Sequence, residues 1–342
     1  MRADLFLVEH GFATTRSQAQ RLIASGVQWR AEAGAAWKQV AKNGDELPGD
    51  AELQVLDTTE AKYISRGGLK LEGALKTSGL AALGVLKGAR CLDVGQSTGG
   101  FTDCLLQQGA AQVVGIDVGH GQLHGSMRGD PRVVCIEGVN ARSLSADDLT
   151  EHYQRALQVR QVSDDGHEDQ PFDSDLDLDF DPVFDFVTGD LSFISLTLVL
   201  PAVVRLLKPD GHLLMLVKPQ FELQPGQVGK GGIVRDAALF EFVEKRLRDT
   251  CAELGLEVQA WLDSPIAGGD GNREFFVHAK KGQAVSGEAG PLAPLAAAPK
   301  RKAPKRLPRS ALREPHEDPE AAHAGQPGPA RSKRRDKTTQ ND

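Results

Sequence analysis

Cysteine is scarce in this chain, with four residues among 342. None of them stands in a Cys-x-x-Cys pair, and their spacing matches neither a disulfide framework nor a zinc ribbon. We therefore expect no metal site, and we expect reduced thiols, as in a cytoplasmic protein. The four positions are Cys91, Cys104, Cys135 and Cys251.

Long apolar runs are also missing. The best candidate for a membrane span, residues 196–207, is short and contains Pro201 and Arg205, whereas a spanning helix needs about 20 apolar residues. The apolar patch at residues 5–8 is flanked by acids, which does not fit a secretory signal. The sequence therefore predicts neither a membrane protein nor a secreted one.

The chain lacks the positive charge that is typical of nucleic-acid-binding proteins, because its formal net charge is -7. This charge is unevenly distributed. Residues 164–181 carry nine carboxylates and no Lys or Arg, whereas the tail beyond about residue 300 is rich in both. These compositions predict a disordered acidic insert at 163–181 and a disordered basic, Pro- and Ala-rich tail at 282–342. The net charge therefore does not exclude an RNA partner.

Strand and helix signals alternate between residues 63 and 281. Helical patterns such as residues 237–254 separate most of the apolar runs. This alternation predicts an α/β fold with a mostly parallel, Rossmann-like sheet that is covered on both faces. The seven predicted strands lie at residues 90–94, 112–117, 132–136, 184–188, 212–217, 256–262 and 274–278.

A glycine-rich turn follows the first of these strands and is typical of a nucleotide cofactor site. Three residues separate Gly95 from the pair Gly99-Gly100, which differs from the Gly-x-Gly-x-x-Gly pattern of dinucleotide sites. Asp93 would repel a pyrophosphate but suits an ammonium group. About twenty residues later, Asp117 can accept hydrogen bonds from both hydroxyls of a ribose. The pattern favours S-adenosylmethionine, and the alternative is a glycine-rich turn of another α/β protein.

Residues 1–58 have a different pattern and are predicted to form a small separate α+β module, joined by a linker at 59–62. Two short amphipathic helices precede three strand-like segments, and Thr14-Thr15 supplies candidate caps for the second helix. The segments at 2–5 and 15–26 resemble the S4 RNA-binding domain, although residues 30–34 replace its usual turn. The alternative is a helix pair with solvated charges.

Four ionisable residues are expected at the edge of the predicted sheet where parallel strands present ligands. Asp190 and Lys218 end neighbouring strands, so we expect them to pair, because buried charges are costly alone. Lys70 precedes the first strand of the sheet. Glu274 opens a strand that would run antiparallel and so reaches the same edge. The alternative is a salt-bridge network with a purely structural role.

Five sequence blocks, in this order, resemble the TlyA family of ribosomal RNA 2′-O-methyltransferases, which couple an S4 domain to an FtsJ-like methyltransferase domain. They include Ser65-Arg66-Gly67-Gly68-Leu69-Lys70-Leu71 and Val217-Lys218-Pro219-Gln220-Phe221-Glu222. The other three blocks are residues 93–103, 190–195 and 271–275. The resemblance implies a cytoplasmic enzyme that uses S-adenosylmethionine to methylate a ribose in ribosomal RNA, with cytidines as targets and ribosomal subunits as partners.

The resemblance also implies roles for particular residues. The catalytic tetrad is Lys70, Asp190, Lys218 and Glu274, in which Asp190 and Glu274 hold Lys218 and Lys70 is the cation that favours its deprotonation. The residues expected at the cofactor are Asp93, Gly95, Ser97, Thr98, Gly99, Gly100, Phe101, Asp117, Asn140 and Asp190. The residues expected at the RNA are Arg2, Arg16, Arg21 and Arg66. Gln96 stands where the family often has alanine, a change that we expect to be tolerated.

Two other functions remain open at this point. Relatives are often labelled haemolysins, which would make the chain a membrane-active protein, and a methyltransferase fold without activity would leave a ribosome assembly factor. The basic glycine-rich loop at Lys230 could grip phosphates beside Arg66, or it could be an ordinary loop. We expect a monomer.

Overall fold

A computed structural model of the chain describes residues 1–165 and 180–283. The first 55 residues form two helices and a small antiparallel sheet with strand order β2-β1-β3. Thr15 caps the second helix by accepting a hydrogen bond from the Gln18 backbone N–H (3.2 Å), as predicted. The elements are α1 (Ala3–Glu9), α2 (Arg16–Gly26), β1 (Val27–Arg30), β2 (Lys38–Gln39) and β3 (Glu52–Val55).

A seven-stranded sheet dominates the rest of the described chain and confirms the predicted α/β class. The strand order is β6-β5-β4-β7-β8-β10-β9. The strands β4 to β8 pair in parallel, and β10 is antiparallel to both β8 and β9. The strands are β4 (Arg90–Val94), β5 (Gln112–Asp117), β6 (Val133–Glu137), β7 (Phe184–Gly189), β8 (Leu207–Val217), β9 (Leu256–Asp263) and β10 (Phe275–Lys281).

All seven strands lie where the apolar runs predicted them, with one clear difference at the start of β8. This strand begins at Leu207 rather than at residue 212, and its pairing with β7 shifts register between Phe184 and Phe186. The extra residues include Pro209 and Asp210, and Asp210 has a positive φ of 59°. The polar, irregular start of this strand lacks the run of apolar residues from which the other strands were predicted. The sequence therefore did not predict residues 207–211 as part of β8.

Helices cover both faces of the sheet, as expected for alternating strands and helices. One face packs Leu92, Val94 and Val187 against α8 and α10. The other packs Cys91 and Val113 against the apolar sides of α3 and α5. The helices are α3 (Arg66–Thr77), α4 (Leu80–Leu83), α5 (Gly100–Gln107), α6 (Gly125–Arg128), α7 (Ala146–Asp165), α8 (Leu196–Val203), α9 (Pro219–Glu222) and α10 (Ala237–Glu253).

Short 3-10 turns complete the described elements, at Thr59–Ala61, Ala141–Ser143, Val204–Leu206, Pro225–Gln227 and Lys230–Gly232. Three of the four cysteines are buried, Cys135 is half-buried, and all four are free thiols. Helix α7 runs into the predicted acidic insert as far as Asp165. The rest of that insert up to residue 179, and the predicted tail from residue 284, lie outside the described residues. None of the described helices is long and apolar enough to cross a membrane.

The segment at residues 62–65 joins the N-terminal helices to the large sheet. The Gln18 side-chain amide donates to the Tyr63 carbonyl (3.1 Å), and the Ile64 N–H donates to Asp103 of α5 (2.9 Å). The Tyr63 ring is 2% exposed and lies directly over Gly68, where a Cβ atom would come within 2.3 Å of the ring. The first turn of α3 therefore requires glycine at this position.

Substitution Gly68→Ala should destabilise the protein by about 1–3 kcal/mol, because overpacking forces the Tyr63 ring or the helix to move. Urea unfolding measures this loss. The matched control is Gly226→Ala, since a Cβ atom at Gly226 meets no atom within 4 Å. If Gly68→Ala is as stable as the wild type, the packing of Tyr63 described above is wrong.

Candidate functional site

The glycine-rich turn between β4 and α5 brings main chain close to the end of β7. Gly95 has a φ of 83° and Gly99 a φ of 94°, both in the left-handed region that favours glycine. A Cβ atom at Gly95 would lie 3.1 Å from the Asp190 carbonyl oxygen and 3.0 Å from the Leu191 side chain. The turn thus lies against the loop that carries Asp190, with Ser97 and Thr98 exposed at its tip.

Gly100 and Phe101, both predicted to meet the cofactor, also serve the packing of α5. A Cβ atom at Gly100 would lie 2.1 Å from the Ser65 hydroxyl oxygen, so this glycine lets the start of α3 approach. The Phe101 side chain is 4% exposed and stacks on Phe276 at a centroid distance of 6.2 Å. Its ring belongs to the core, which leaves its main chain at the helix N-terminus for ligand contact.

Asp93 lies fully buried beneath this turn. Its Oδ2 accepts a hydrogen bond from the Thr102 hydroxyl (2.7 Å), and its Oδ1 has no hydrogen-bond partner among the residues that the structure describes. Burial raises the pKa of Asp93 to about 7, the Thr102 hydrogen bond opposes this shift, and the nearby charges of Asp190 and Asp117 add to it. Asp93 is therefore a buried acceptor in need of a donor or a cation.

Gln96 fills the space beside Asp93 in a way that explains the departure from alanine. Its side-chain amide donates to the Thr102 hydroxyl (2.9 Å), and a Cβ atom at Gly115 would lie only 2.0 Å from that amide. A glycine on the neighbouring strand β5 therefore makes room for the larger side chain. Both residues are visible in the sequence, but no pattern predicted this contact between the turn and β5.

Asp117 ends β5 beside the same turn. Its Oδ2 accepts from the Ser97 N–H (2.7 Å), and its Oδ1 accepts from the Gly119 N–H (2.7 Å). The carboxylate is thus fixed in place at the glycine-rich turn. The next residue, Val118, is apolar and 69% exposed. The sequence pattern placed it after a buried strand but did not predict that its side chain is exposed beside the turn. Asn140, expected near the adenine, is exposed, and its side-chain oxygen accepts from the Arg142 N–H (3.0 Å).

The four predicted tetrad residues come together as two ion pairs. Lys218 pairs with Asp190 (2.5 Å), as expected, and also donates to the Ser192 hydroxyl (2.9 Å). Glu274 was expected to hold Lys218, but its carboxylate instead pairs with Lys70 (2.5 Å). The physical reason is burial: the Lys70 and Glu274 side chains are 8% and 3% exposed, so each needs the other charge.

The two ion pairs are close enough to influence each other. Burial raises the pKa of Glu274, the Lys70 ammonium opposes that shift, and the charges of Lys218 and Asp190 also act on this carboxyl. Lys218 and Asp190 are more accessible, with side chains 12% and 26% exposed. The inner pair is therefore closed to solvent, whereas the outer pair can meet a substrate.

Two of the predicted RNA-binding arginines bind one buried carboxylate. Arg2 donates twice to Asp4 (3.0 Å for each bond), and Arg16 donates to it through Nε (2.7 Å). Hydrogen bonds from Arg2 hold the pKa of Asp4 well below its usual range, and those from Arg16 and Gln20 add to this effect. The side chains of Arg2 and Arg16 remain 43% and 53% exposed, so the cluster presents a net positive charge.

The other two predicted arginines lie elsewhere. Arg21 follows on α2 and donates to the Ser17 carbonyl (3.2 Å). Arg66 opens α3 and reaches the loop before Glu274, since a Cβ atom at Gly269 would lie 3.4 Å from its guanidinium. The structure thus brings Arg66, but not the N-terminal arginines, to the rim of the tetrad.

Asn272 connects the loop at residues 229–234 to the start of β10, a contact that no sequence pattern suggested. The side chain is 1% exposed. Its Oδ1 accepts from the Val234 N–H (2.9 Å), and its Nδ2 donates to the Gly232 carbonyl (2.8 Å). The basic loop at Lys230 is therefore fixed beside the segment that carries Glu274 and leads into β10. Within residues 1–165 and 180–283, no cluster of three His, Cys, Asp or Glu side chains could hold a metal ion.

A family model described as FtsJ-like methyltransferase matches residues 63–281, which contain the turn and both ion pairs. The chain belongs to the FtsJ-like methyltransferase family. The 16S/23S rRNA (cytidine-2′-O)-methyltransferase TlyA of Mycobacterium tuberculosis is 39% identical over 276 residues, which cover 81% of this chain and 88% of the relative. The resemblance inferred from the five sequence blocks is confirmed, and the chain is a methyltransferase of the FtsJ-like family.

Haemolysin names also occur among relatives of this FtsJ-like chain. Hemolysin A of Brachyspira hyodysenteriae is 32% identical over 278 residues, which cover 81% of this chain and 99% of the relative. A solved structure from Streptococcus thermophilus, whose name also links it to hemolysins, has a TM-score of 0.56 at 34% identity and covers 82% of this chain and 88% of its own. The relatives of this chain therefore include proteins named as haemolysins as well as proteins named as methyltransferases.

Asp93→Asn should change the pH dependence of stability. The pKa of Asp93 rises from 3.8 to about 7 on folding, so the folded protein holds a proton that the unfolded chain releases. The stabilising contribution of this group is fully present below pH 4 and is lost as the pH rises to 7. The free energy of unfolding of the variant, relative to that of wild type, should therefore increase by about 2 kcal/mol from pH 5 to pH 8.

Urea unfolding at both pH values measures this gain, with the exposed Asp50→Asn as the control. If the free energies of unfolding of Asp93→Asn and wild type differ by the same amount at pH 5 and at pH 8, the raised pKa of Asp93 is wrong.

Proposed function

We propose that this enzyme transfers a methyl group from S-adenosylmethionine to the 2′-hydroxyl of a ribose in ribosomal RNA, with cytidine as the target nucleotide. The observation that carries the proposal is the accessible Lys218–Asp190 pair (2.5 Å), which lies at the end of β7 and β8 beside the glycine turn of an FtsJ-like domain. The name of the TlyA relative supplies the reaction and the nucleotide. We propose that the enzyme acts in the cytoplasm on ribosomal subunits.

The residues around the turn fit S-adenosylmethionine. The unpartnered Oδ1 of Asp93 suits the ammonium group of the amino-acid portion, because a buried carboxylate oxygen is stabilised by a cation. Gly95 and Gly99 allow close approach of the main chain. The fixed carboxylate of Asp117 suits the ribose hydroxyls, and the exposed Val118 suits one face of the adenine. When bound, S-adenosylmethionine supplies an electrophilic methyl group on a sulfonium.

The two ion pairs suit the other reactant. A ribose hydroxyl is a weak nucleophile, so the protein must orient it and receive its proton. Lys218 is the accessible cation of the site, and its contacts with Asp190 and Ser192 fix the direction of its ammonium group. In this proposal, Lys218 first gives up one proton to solvent, and its neutral amine then orients the hydroxyl and takes the hydroxyl proton. The ribose oxygen bonds to the methyl group as the methyl–sulfur bond breaks and the sulfur keeps the electron pair. Lys70 and Glu274 keep the inner charges balanced and closed to solvent.

The N-terminal module suits a role in RNA binding. Arg2 and Arg16 are held on Asp4 and keep about half of their surface exposed, so they can contact phosphates without first losing side-chain freedom. Arg21 is one helical turn from Ser17 on the same helix. Arg66 at the rim of the tetrad suits a phosphate close to the target nucleotide, which must be exposed from folded RNA before its sugar can react. This supports the S4-like interpretation of residues 1–58.

Substitution Lys218→Ala should abolish most methyl transfer while leaving the cofactor site intact. We expect transfer to ribosomal subunits to fall by about 10²–10⁴-fold, the usual contribution of a general base. Tritiated methyl transfer measures this loss, and calorimetric titration with S-adenosylhomocysteine should give a Kd within about threefold of wild type. An inactive assembly factor would show no transfer in the wild type.

Lys208→Ala provides the matched control for that substitution. Lys208 forms a similar pair with Asp185 (2.8 Å) at the opposite ends of the same two strands, so its loss removes an equal charge away from the turn. Full activity in Lys218→Ala would refute the catalytic role of Lys218. If Lys208→Ala loses as much methyl transfer as Lys218→Ala, the effect is not specific to the position of Lys218 and its catalytic role is refuted.

Arg21→Ala should weaken binding to ribosomal RNA without affecting the cofactor. One lost phosphate contact should lower the slope of log affinity against log salt by about 1. Filter binding across a salt series measures this slope. The control is Arg155→Ala, which removes an arginine paired with Glu151 on α7. An unchanged slope in Arg21→Ala would exclude this part of the module from the RNA interface.

A further inference from the structure

Glu222 is a buried carboxylate that has no role in the chemistry proposed above. It ends α9, four residues after Lys218, and is 3% exposed. Its Oε2 accepts a hydrogen bond from the Ser195 hydroxyl (2.5 Å), and its Oε1 accepts from the Leu196 N–H (2.7 Å). Both donors stand at the start of α8, immediately after the loop that begins at Asp190. Glu222 therefore joins the loop of Lys218 to the loop of Asp190.

Arg246 on α10 strengthens the same connection from outside. Its Nη1 donates to the Glu222 carbonyl (2.7 Å), and its Nη2 donates to the Thr197 hydroxyl (3.3 Å). The Ser195 and Thr197 hydroxyls lie 2.8 Å apart. One arginine thus contacts both loops. The Glu222 carboxylate accepts from the Ser195 hydroxyl and from the Leu196 N–H, one of the N–H groups that a helix start leaves unsatisfied.

The loop from Asp190 to Ser195 needs such support. Its Phe193 has a φ of 64° and is 90% exposed, a conformation that is costly for a bulky residue and persists only where the surroundings enforce it. The loop is held at its start by the hydrogen bond from the Asp190 N–H to the Val94 carbonyl (3.2 Å). At its other end, the Glu222 carboxylate holds Ser195 and Leu196.

We propose that Glu222 is a positioning residue that sets the spacing of Asp190 and Lys218 by clamping their two loops together. This inference rests on the proposed function, because it matters only if these two residues act on the substrate. A misplacement of about 1 Å in a catalytic group can cost 10²-fold in rate. Loss of the clamp should therefore lower kcat rather than the binding of either substrate.

The clamp requires hydrogen bonding and not a negative charge. A glutamine at this position can accept from the Leu196 N–H through its oxygen and donate to the Ser195 hydroxyl through its amide, and Ser195 can then donate to Thr197. Burial raises the pKa of Glu222, and the hydrogen bonds from Ser195 and Leu196 oppose that shift. Glu222→Gln should therefore keep the clamp, whereas Glu222→Ala removes it.

The experiment compares these two variants in the full chain with ribosomal subunits as substrate. For Glu222→Ala we expect kcat to fall by about 10–100-fold, while KM for the subunits and the Kd for S-adenosylhomocysteine stay within about threefold. Glu222→Gln should retain kcat within about threefold of wild type. The matched control is Glu241→Ala, which removes an exposed carboxylate from α10 and should leave every value unchanged. Ser195→Ala, which removes one of the two hydrogen bonds, should give an intermediate loss.

A second measurement reports the positions of the Asp190 and Lys218 loops and does not depend on enzymatic activity. Amine-reactive footprinting with mass spectrometry should show Lys218 labelled several-fold faster in Glu222→Ala than in wild type, because its contacts with Asp190 and Ser192 loosen. Labelling of Lys70, which is 8% exposed and paired with Glu274, should stay constant. Faster labelling of both lysines would mean general loosening of the fold and would overturn the proposal.

The remaining outcomes separate this inference from the proposed function. If Lys218→Ala is inactive but Glu222→Ala keeps kcat within about threefold, the positioning role is wrong and the catalytic role stands. If Glu222→Gln loses as much kcat as Glu222→Ala, the clamp as described is wrong. If Lys218→Ala is fully active, the proposed function fails, whatever the Glu222 variants show.

Discussion

The need to neutralise buried charge governs the arrangement of the candidate catalytic edge, where Lys70, Asp190, Lys218 and Glu274 meet. An isolated lysine or carboxylate inside a protein costs several kcal/mol, so four of them can share a site only as pairs. The order of the sheet makes this pairing possible, because β7, β8 and β10 are neighbours and present Asp190, Lys218 and Glu274 at one edge. Helix α3 then supplies Lys70 from outside the sheet. The result is an inner pair closed to solvent and an outer pair that stays partly accessible.

Asp93 shows the opposite use of burial. It is more deeply buried than Lys218 and Asp190, yet the charges that act on it most strongly are the carboxylates of Asp190 and Asp117. A protein tolerates an unsatisfied acceptor where a ligand completes the arrangement. The glycine-rich turn therefore covers a buried carboxylate oxygen without a hydrogen-bond partner among the described residues, an environment that suits a cationic ligand. Gln96 and Thr102 fix the carboxylate, and Gly115 makes the space in which they do so.

Much of the fold followed from the sequence, and the limits have physical causes. Apolar runs located all seven strands, most clearly the five parallel ones, because buried parallel strands are nearly continuous in their hydrophobicity. The polar start of β8 at Lys208 and Pro209 carried no such signal. Charge arguments foresaw that Lys218 would meet Asp190. They did not foresee that Glu274 would prefer Lys70, because this choice depends on which pair is farther from water. The contacts of Glu222 and Asn272 are side-chain bonds between distant loops, and no periodicity encodes them.

The pair between Lys70 and Glu274 spans 204 residues of sequence, which makes it one of the most non-local contacts of the catalytic edge. Contacts of this kind form late, because the intervening chain must first be ordered. Synthesis proceeds from the N-terminus, so α3 is synthesised long before β10. The glycine turn, Asp190 and Lys218 also precede Glu274 in the chain, and Lys70 therefore lacks its partner until Glu274 has been added. Because β10 lies between β8 and β9 and is the last described strand in sequence, the ion pair of Lys70 cannot form until nearly all of the described chain has been synthesised.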